Sequence, residues 1–162
     1  MRYPLIHSSF LDGFPELVLE KGGEPKTLYE GANLSFEATT GTEMLIPFDR
    51  QNKLLDIAAL KLDFPYLALE LARRQTIAIY GPLASMVVAS ENLGEALKIF
   101  IDHIQLRVQT VKLCLSLKGD AAEFSIESDF TKVANSVRFQ DHGLALSYNL
   151  IQILYGQQLS PR

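Results

Sequence analysis

A single cysteine, Cys114, in 162 residues excludes an internal disulfide and leaves no cysteine cluster for zinc. That scarcity suits a reducing compartment, and packing is the role expected of the thiol. Basic charge is also short: 15 Lys and Arg against 19 Asp and Glu give a net charge of -4. The dense cationic surface that releases counterions from nucleic acid is therefore missing from this segment. Apolar runs are brief, and none approaches the roughly 18 residues of a membrane span. The opening MRYPLIHSSFLDG has no continuous apolar core of the kind a signal peptide carries. A cytoplasmic location without membrane contact is the expectation. Repeats and low-complexity tracts are absent, and the 48% hydrophobic, 21% charged composition is that of an ordinary globular chain. This length suffices for one domain with a real core.

What is present is punctuation. Phe10, Phe14, Leu17 and Val18 recur at helical spacing between Ser8 and Lys21, and Gly22-Gly23 supplies a stop. Pro25 opens another turn to about Glu30, and residues 31–41 have the Gly, Asn, Ser and Thr content of a loop. Pro47 starts a helix whose apolar face holds Leu54, Leu55, Ala58 and Leu62. Asp63 is expected to cap the next helix, with Pro65 in its first turn and Arg73-Arg74 at its end. Gly81-Pro82 repeats the device before Leu83, Met86 and Val87. Asn92 with Glu95 makes a capping box, followed by Leu93, Leu97, Phe100, Ile101 and Ile104 on one stripe.

Near Val108 the period changes from 3.6 to 2. Val111, Leu113, Leu115 and Leu117 alternate with Lys112, Cys114, Ser116 and Lys118, and Gly119-Asp120 closes the strand. A type II′ turn there sets a register: Lys118 opposite Ala121, Leu115 opposite Phe124, Leu113 opposite Ile126 and Lys112 opposite Glu127. Residues 133–139 are expected as a third strand. From Gln140 to Tyr155 a helix returns, with Leu144, Tyr148, Ile151 and Tyr155 on its main stripe and Leu146, Leu150 and Leu154 widening it. The fold class is α+β: N-terminal helices packed with a small antiparallel sheet, a hairpin at about 108–128, and a C-terminal helix.

Several of these signals fall in an order that resembles the helix-rich N-terminal effector-binding region of AraC-type transcription regulators. They are Gly22-Gly23-Glu24-Pro25, Ile46-Pro47, Phe64-Pro65-Tyr66-Leu67-Ala68-Leu69, Tyr80-Gly81-Pro82-Leu83, Ser90 to Leu97, Lys118-Gly119-Asp120 and Phe139-Gln140. The resemblance runs along nearly the whole chain. It implies a bacterial regulator in which residues 1–162 are one sensor domain, while a helix-turn-helix pair outside this chain reads DNA. The closing Ser160-Pro161-Arg162 reads as a connection to such a segment. It also implies a fold unlike the jelly roll of the arabinose-sensing members, so an all-β barrel is not expected.

No nucleophile elbow, metal-binding histidine pair or phosphate loop occurs, and His7, His103 and His142 share no metal-ligand spacing. Neither an enzyme nor a cofactor site is expected. The candidate ligand residues are Tyr80, Met86, Phe100, His103, Arg107 and Tyr148. Tyr80 and Tyr148 would present hydroxyls to a pocket walled by Met86, Phe100 and Leu115, for which packed core tyrosines are the plainer reading. His103 would serve as an effector or haem ligand, or simply sit on a helix surface. Arg107 would grip a carboxylate or phosphate with two N–H groups, or be a solvated charge at a helix end. The partners expected are a small, apolar or amphipathic effector and a second copy in a homodimer, with an interaction module that needs no ligand as the alternative.

Overall fold

The computed structural model describes residues 4–41, 43–128 and 137–156. Eight α-helices and two small antiparallel sheets make up the described chain, in line with the α+β expectation. The helices are α1 (Phe14–Glu20), α2 (Pro25–Gly31), α3 (Phe36–Gly41), α4 (Phe48–Lys61), α5 (Leu67–Arg74), α6 (Pro82–Val88), α7 (Leu93–His103) and α8 (Val137–Tyr155). Strands β1 (Leu5–His7) and β2 (Leu45–Pro47) pair with each other, as do β3 (Val111–Lys118) and β4 (Ala121–Ser128).

The expected first helix is two elements. Ser8–Leu11 is a 3-10 turn, and α1 begins only after Gly13, whose φ of 81° breaks the run. Three helices then end in the same way. The Gly23, Leu34 and Phe64 N–H groups return to the carbonyls of Val18, Tyr29 and Ala59, at 2.9, 2.9 and 3.0 Å, around a left-handed residue. These are Schellman caps, with Gly22, Asn33 and Asp63 at the positive-φ position. Asp63 therefore terminates α4 and does not start α5, and Pro65 lies in the turn ahead of α5. Residues 36–41, expected as loop, form α3.

The hairpin register agrees pair for pair with the expectation from Lys118 opposite Ala121 to Lys112 opposite Glu127. Gly119 has φ 66° while Asp120 stays out of the left-handed region, as a type II′ turn requires. Val111 and Leu113 are buried, Leu115 is half-buried and Leu117 is 81% exposed, so the ribbon is anchored at its base and free at its tip. Within the region expected as a third strand, Val137, Arg138 and Phe139 are the first turn of α8; residues 133–136 lie outside the described chain.

Strands β1 and β2 leave no pattern in the sequence. Three residues each, they are held by distant partners: Ile6 pairs with Ile46 on one side and bridges Val108 on the other. His7 N–H donates to the Arg107 carbonyl at 3.0 Å, and Gln109 N–H to the Leu5 carbonyl at 3.0 Å. The N-terminal segment thus joins the α4 entrance to the junction between α7 and the hairpin.

Helix α8 packs chiefly on α5, with further contacts to α4 and α7. Its buried face is Phe139, His142, Leu146, Ser147 and Leu150. Of the stripe expected to lead, Leu144, Tyr148 and Tyr155 face out at 67%, 40% and 49% exposure, and Ile151 is half-buried. Both stripes recur at helical spacing, and periodicity cannot say which side the rest of the fold will cover.

Candidate functional site

Helix α8, the base of the hairpin, α7 and the turn before α6 meet around an apolar cavity of about 50 Å³. Ile6 and Phe10 close it from the N-terminal segment, Tyr80 and Phe100 from the helices, Val111, Leu113 and Ile126 from the hairpin, and Phe139, His142, Gly143, Leu146 and Ser147 from α8. The aromatic wall is stacked edge to face: Phe10 lies 5.8 Å from Tyr80, and Tyr80 lies 4.8 Å from Phe100. At ten to fifteen Å³ or so per water, such a void admits only a few waters. A larger guest requires the wall to move, and the hairpin is the wall with the least support.

One polar device serves this cavity. Gln75, buried just after α5, donates both amide hydrogens, to the Phe10 carbonyl at 3.0 Å and the Asp12 carbonyl at 2.9 Å. Its Oε1 is left as an acceptor 2.8 Å from His142 Nε2. The imidazole must therefore carry its proton on Nε2, with a lone pair on Nδ1. Burial lowers the His142 pKa to about 4, so the ring is neutral at ordinary pH. In the sequence alone His142 is a histidine without a metal partner. Its spacing from Phe139, Leu146 and Leu150 was the available signal: a histidine on the face of a helix that the fold buries.

Of the six candidates from sequence, Tyr80 and Phe100 line the cavity. Burial pushes the Tyr80 hydroxyl above its usual pKa. Met86 projects from α6 at 45% exposure. His103 sits half-buried at the end of α7, its Nδ1 2.9 Å from the Ile99 carbonyl, as a helix-surface histidine does. Tyr148 faces outward on α8 and pairs with Gln152.

Arg107 is buried, not solvated. Its Nη2 donates to Ser9 Oγ at 2.8 Å, to the Ile79 carbonyl at 2.9 Å and to the Glu43 carboxylate. The carboxylate it grips belongs to its own chain. The guanidinium also lies against Gly81, where an added Cβ would come within 3.0 Å of Nη1, and Gly81 has φ 56°. Space and conformation together demand glycine there. Ser9 Oγ donates in turn to the Ile79 carbonyl at 2.8 Å, so Arg107 fastens the hairpin's root to the N-terminal segment and to Tyr80's own turn. Among the described residues no group of three His, Cys, Asp or Glu side chains could hold a metal ion, and no helix is long and apolar enough to cross a membrane.

The family model described as the N-terminal arabinose-binding domain of the AraC transcription regulator matches residues 22–162. The ornithine utilization regulator of Pseudomonas aeruginosa is 24% identical to this chain over 155 residues, which is 96% of the chain and 46% of that protein. The chain thus spans slightly less than half the length of this relative.

Proposed function

The chain belongs to the family of N-terminal arabinose-binding domains of AraC transcription regulators, and from that premise we propose that it is the effector-sensing domain of a bacterial, cytoplasmic regulator. Residues 1–162 act as one sensor unit, and a helix-turn-helix pair in another segment reads DNA. The effector is small and apolar or amphipathic, and it enters the cavity between α8 and the base of the hairpin. The observation that carries this reading is the cavity itself: apolar on nearly every side, with one neutral, oriented imidazole and a wall anchored only at one end. A guest larger than the void favours a conformation with the hairpin displaced. The signal is its differential affinity for the two arrangements. Because Arg107 ties the hairpin's root to Ser9 and Ile79, displacement is felt in the N-terminal segment.

A thermal-shift screen of small apolar and amphipathic metabolites against the full chain and its Gly143→Leu variant tests this. Gly143 lines the cavity inside α8, and a Cβ there meets Ile126 Cδ1 at an ordinary 3.7 Å, so the larger side chain occupies the void. Effectors are expected to raise the melting temperature of the wild type and to lose that effect in the variant. Ligands that stabilise both proteins equally, or a screen with no stabilising compound, would overturn the assignment.

A second reading has its own observation. The outer stripe of α8, Leu144, Tyr148 and Tyr155, is apolar and uncovered, as a helix that holds two copies together requires. Self-association through that stripe is compatible with effector sensing or replaces it as an interaction module independent of ligand.

A further inference from the structure

The apolar cavity has one polar point whose chemistry narrows its guest. His142 is 2% exposed and lines the cavity from α8, with its Nε2–H committed to Gln75 Oε1 at 2.8 Å. The Gln75 amide cannot be turned over to exchange donor for acceptor, because its Nε2 already faces the Phe10 and Asp12 carbonyls at 3.0 and 2.9 Å. Three bonds therefore fix the tautomer and leave Nδ1 a bare lone pair. The bond to Gln75 is the ring's one hydrogen bond among the described residues. The fold shuts the unbonded Tyr29 hydroxyl and Gln51 amide away from water, but not Nδ1. A buried acceptor left without a donor costs stability, and the space that His142 lines is the cavity.

The rest of the lining agrees with a neutral donor. Ser147 Oγ spends its hydrogen on the Gly143 carbonyl at 2.8 Å, so it too offers a lone pair. Among the described residues no Asp, Glu, Lys or Arg lines the cavity, and an ionic guest finds no countercharge there. Gly143, next to His142, stands inside α8, where glycine weakens a helix relative to alanine. A Cβ at that position would meet nothing closer than Ile126 Cδ1 at 3.7 Å. Space is thus kept open beside the imidazole although a methyl group would fit.

On the reading that this cavity is the effector site, we propose that its guest is a neutral hydroxyl compound, an alcohol or phenol on an apolar body, whose O–H donates to His142 Nδ1. A guest without a hydroxyl leaves the lone pair dry and unpaired, which lowers its affinity. A carboxylate sets lone pair against lone pair. The bond accepted at Nδ1 draws charge from the ring and makes Nε2–H the stronger donor to Gln75. Gln75 holds the Phe10 and Asp12 carbonyls, so the hydroxyl is registered at the N-terminal 3-10 turn as well as through the hairpin.

Calorimetry and thermal shift of the full chain near neutral pH, with phenol, toluene, anisole and sodium benzoate, test the assignment; the four share a ring and differ in the group that meets Nδ1. Phenol is expected to bind several-fold tighter than toluene or anisole, although toluene is the more apolar, and benzoate not at all. In nitrogen NMR of the histidine-labelled wild type, phenol alone is expected to move the His142 Nδ1 signal from that of a bare nitrogen toward that of a protonated one. His142→Gln is expected to abolish the preference for phenol and to keep toluene binding; the NMR arm needs no variant to fold. Toluene bound as tightly as phenol, with both lost in Gly143→Leu, overturns the hydroxyl assignment and leaves the cavity reading standing. Phenol binding with Nδ1 unmoved places its hydroxyl elsewhere, at Tyr80 for one, and overturns the assignment too, as does benzoate binding as tightly as phenol. Binding of none of the four, while the wider metabolite screen finds effectors, overturns this inference alone; silence in both overturns the cavity reading with it.

Discussion

His142 shows what burial does to a single titratable side chain. Its pKa falls from 6.5 to about 4 because the charged ring would lose its hydration. Above pH 6.5 the ring is neutral folded or unfolded and contributes nothing to pH dependence. Between 6.5 and 4 the unfolded chain takes up the proton and the native chain does not, so stability falls with pH, and below 4 the loss is complete. The linked loss is about 3 kcal/mol. His142→Gln keeps a donor for Gln75 Oε1, and denaturant melts of this variant from pH 7 to 4 are expected to show a shallower decline than the wild type. Equal slopes would place the wild-type loss on other groups, such as His7, whose pKa burial and Arg107 also lower. Neither the buried histidine nor the Arg107 clasp was legible in the sequence. A charged residue at a helix end reads as solvated, and only the fold brings Ser9, Ile79 and Glu43 around it.

Elements with local causes were readable, and those with distant causes were not. The hairpin register followed from period-2 alternation and one turn, because a slip by one residue exchanges the two faces. Asn92 caps α7 as read, its Oδ1 accepting from Glu95 N–H at 3.0 Å, while the Glu95 carboxylate accepts from the Glu91 N–H at 2.9 Å, one residue ahead of the bond a full capping box makes. By contrast, β1 and β2 are too short to leave a pattern, and their bonds come from segments far along the chain. Asp63 carried the signature of a helix start but occupies the left-handed position of a helix end, at φ 46°. That geometry is strained for any residue with a Cβ. Asp63→Gly is therefore expected to stabilise the fold by roughly 0.5–1 kcal/mol, measured by chemical denaturation. A loss of stability would mean that the Asp63 side chain contributes more than its backbone strain costs.

Over the whole molecule, apolar surface is distributed unevenly. The core runs from α1 through α8, while one stripe of the last helix stays outside it. Light scattering of the wild type against Leu144→Asp is expected to convert a self-associated species to a monomer with unchanged melting temperature, since Leu144 is 67% exposed and its replacement leaves the core intact. A wild type that is monomeric at every concentration removes the self-association reading and leaves effector sensing standing alone. The α+β class was legible at this scale because capped helices and one alternating ribbon are local facts. Which face of α8 the body would cover was not, because two apolar stripes compete on one helix.

Leu5 and Gln109 bond to each other although they stand 104 positions apart in the sequence. During synthesis, at about 5–20 residues per second, the first strand emerges many seconds before the segment that completes it. Its inner residue, Ile6, is apolar and spends that interval without its full set of neighbours. Strand β1 is thus made well before the partners that settle it, and truncation between β1 and Val108 leaves an open strand edge.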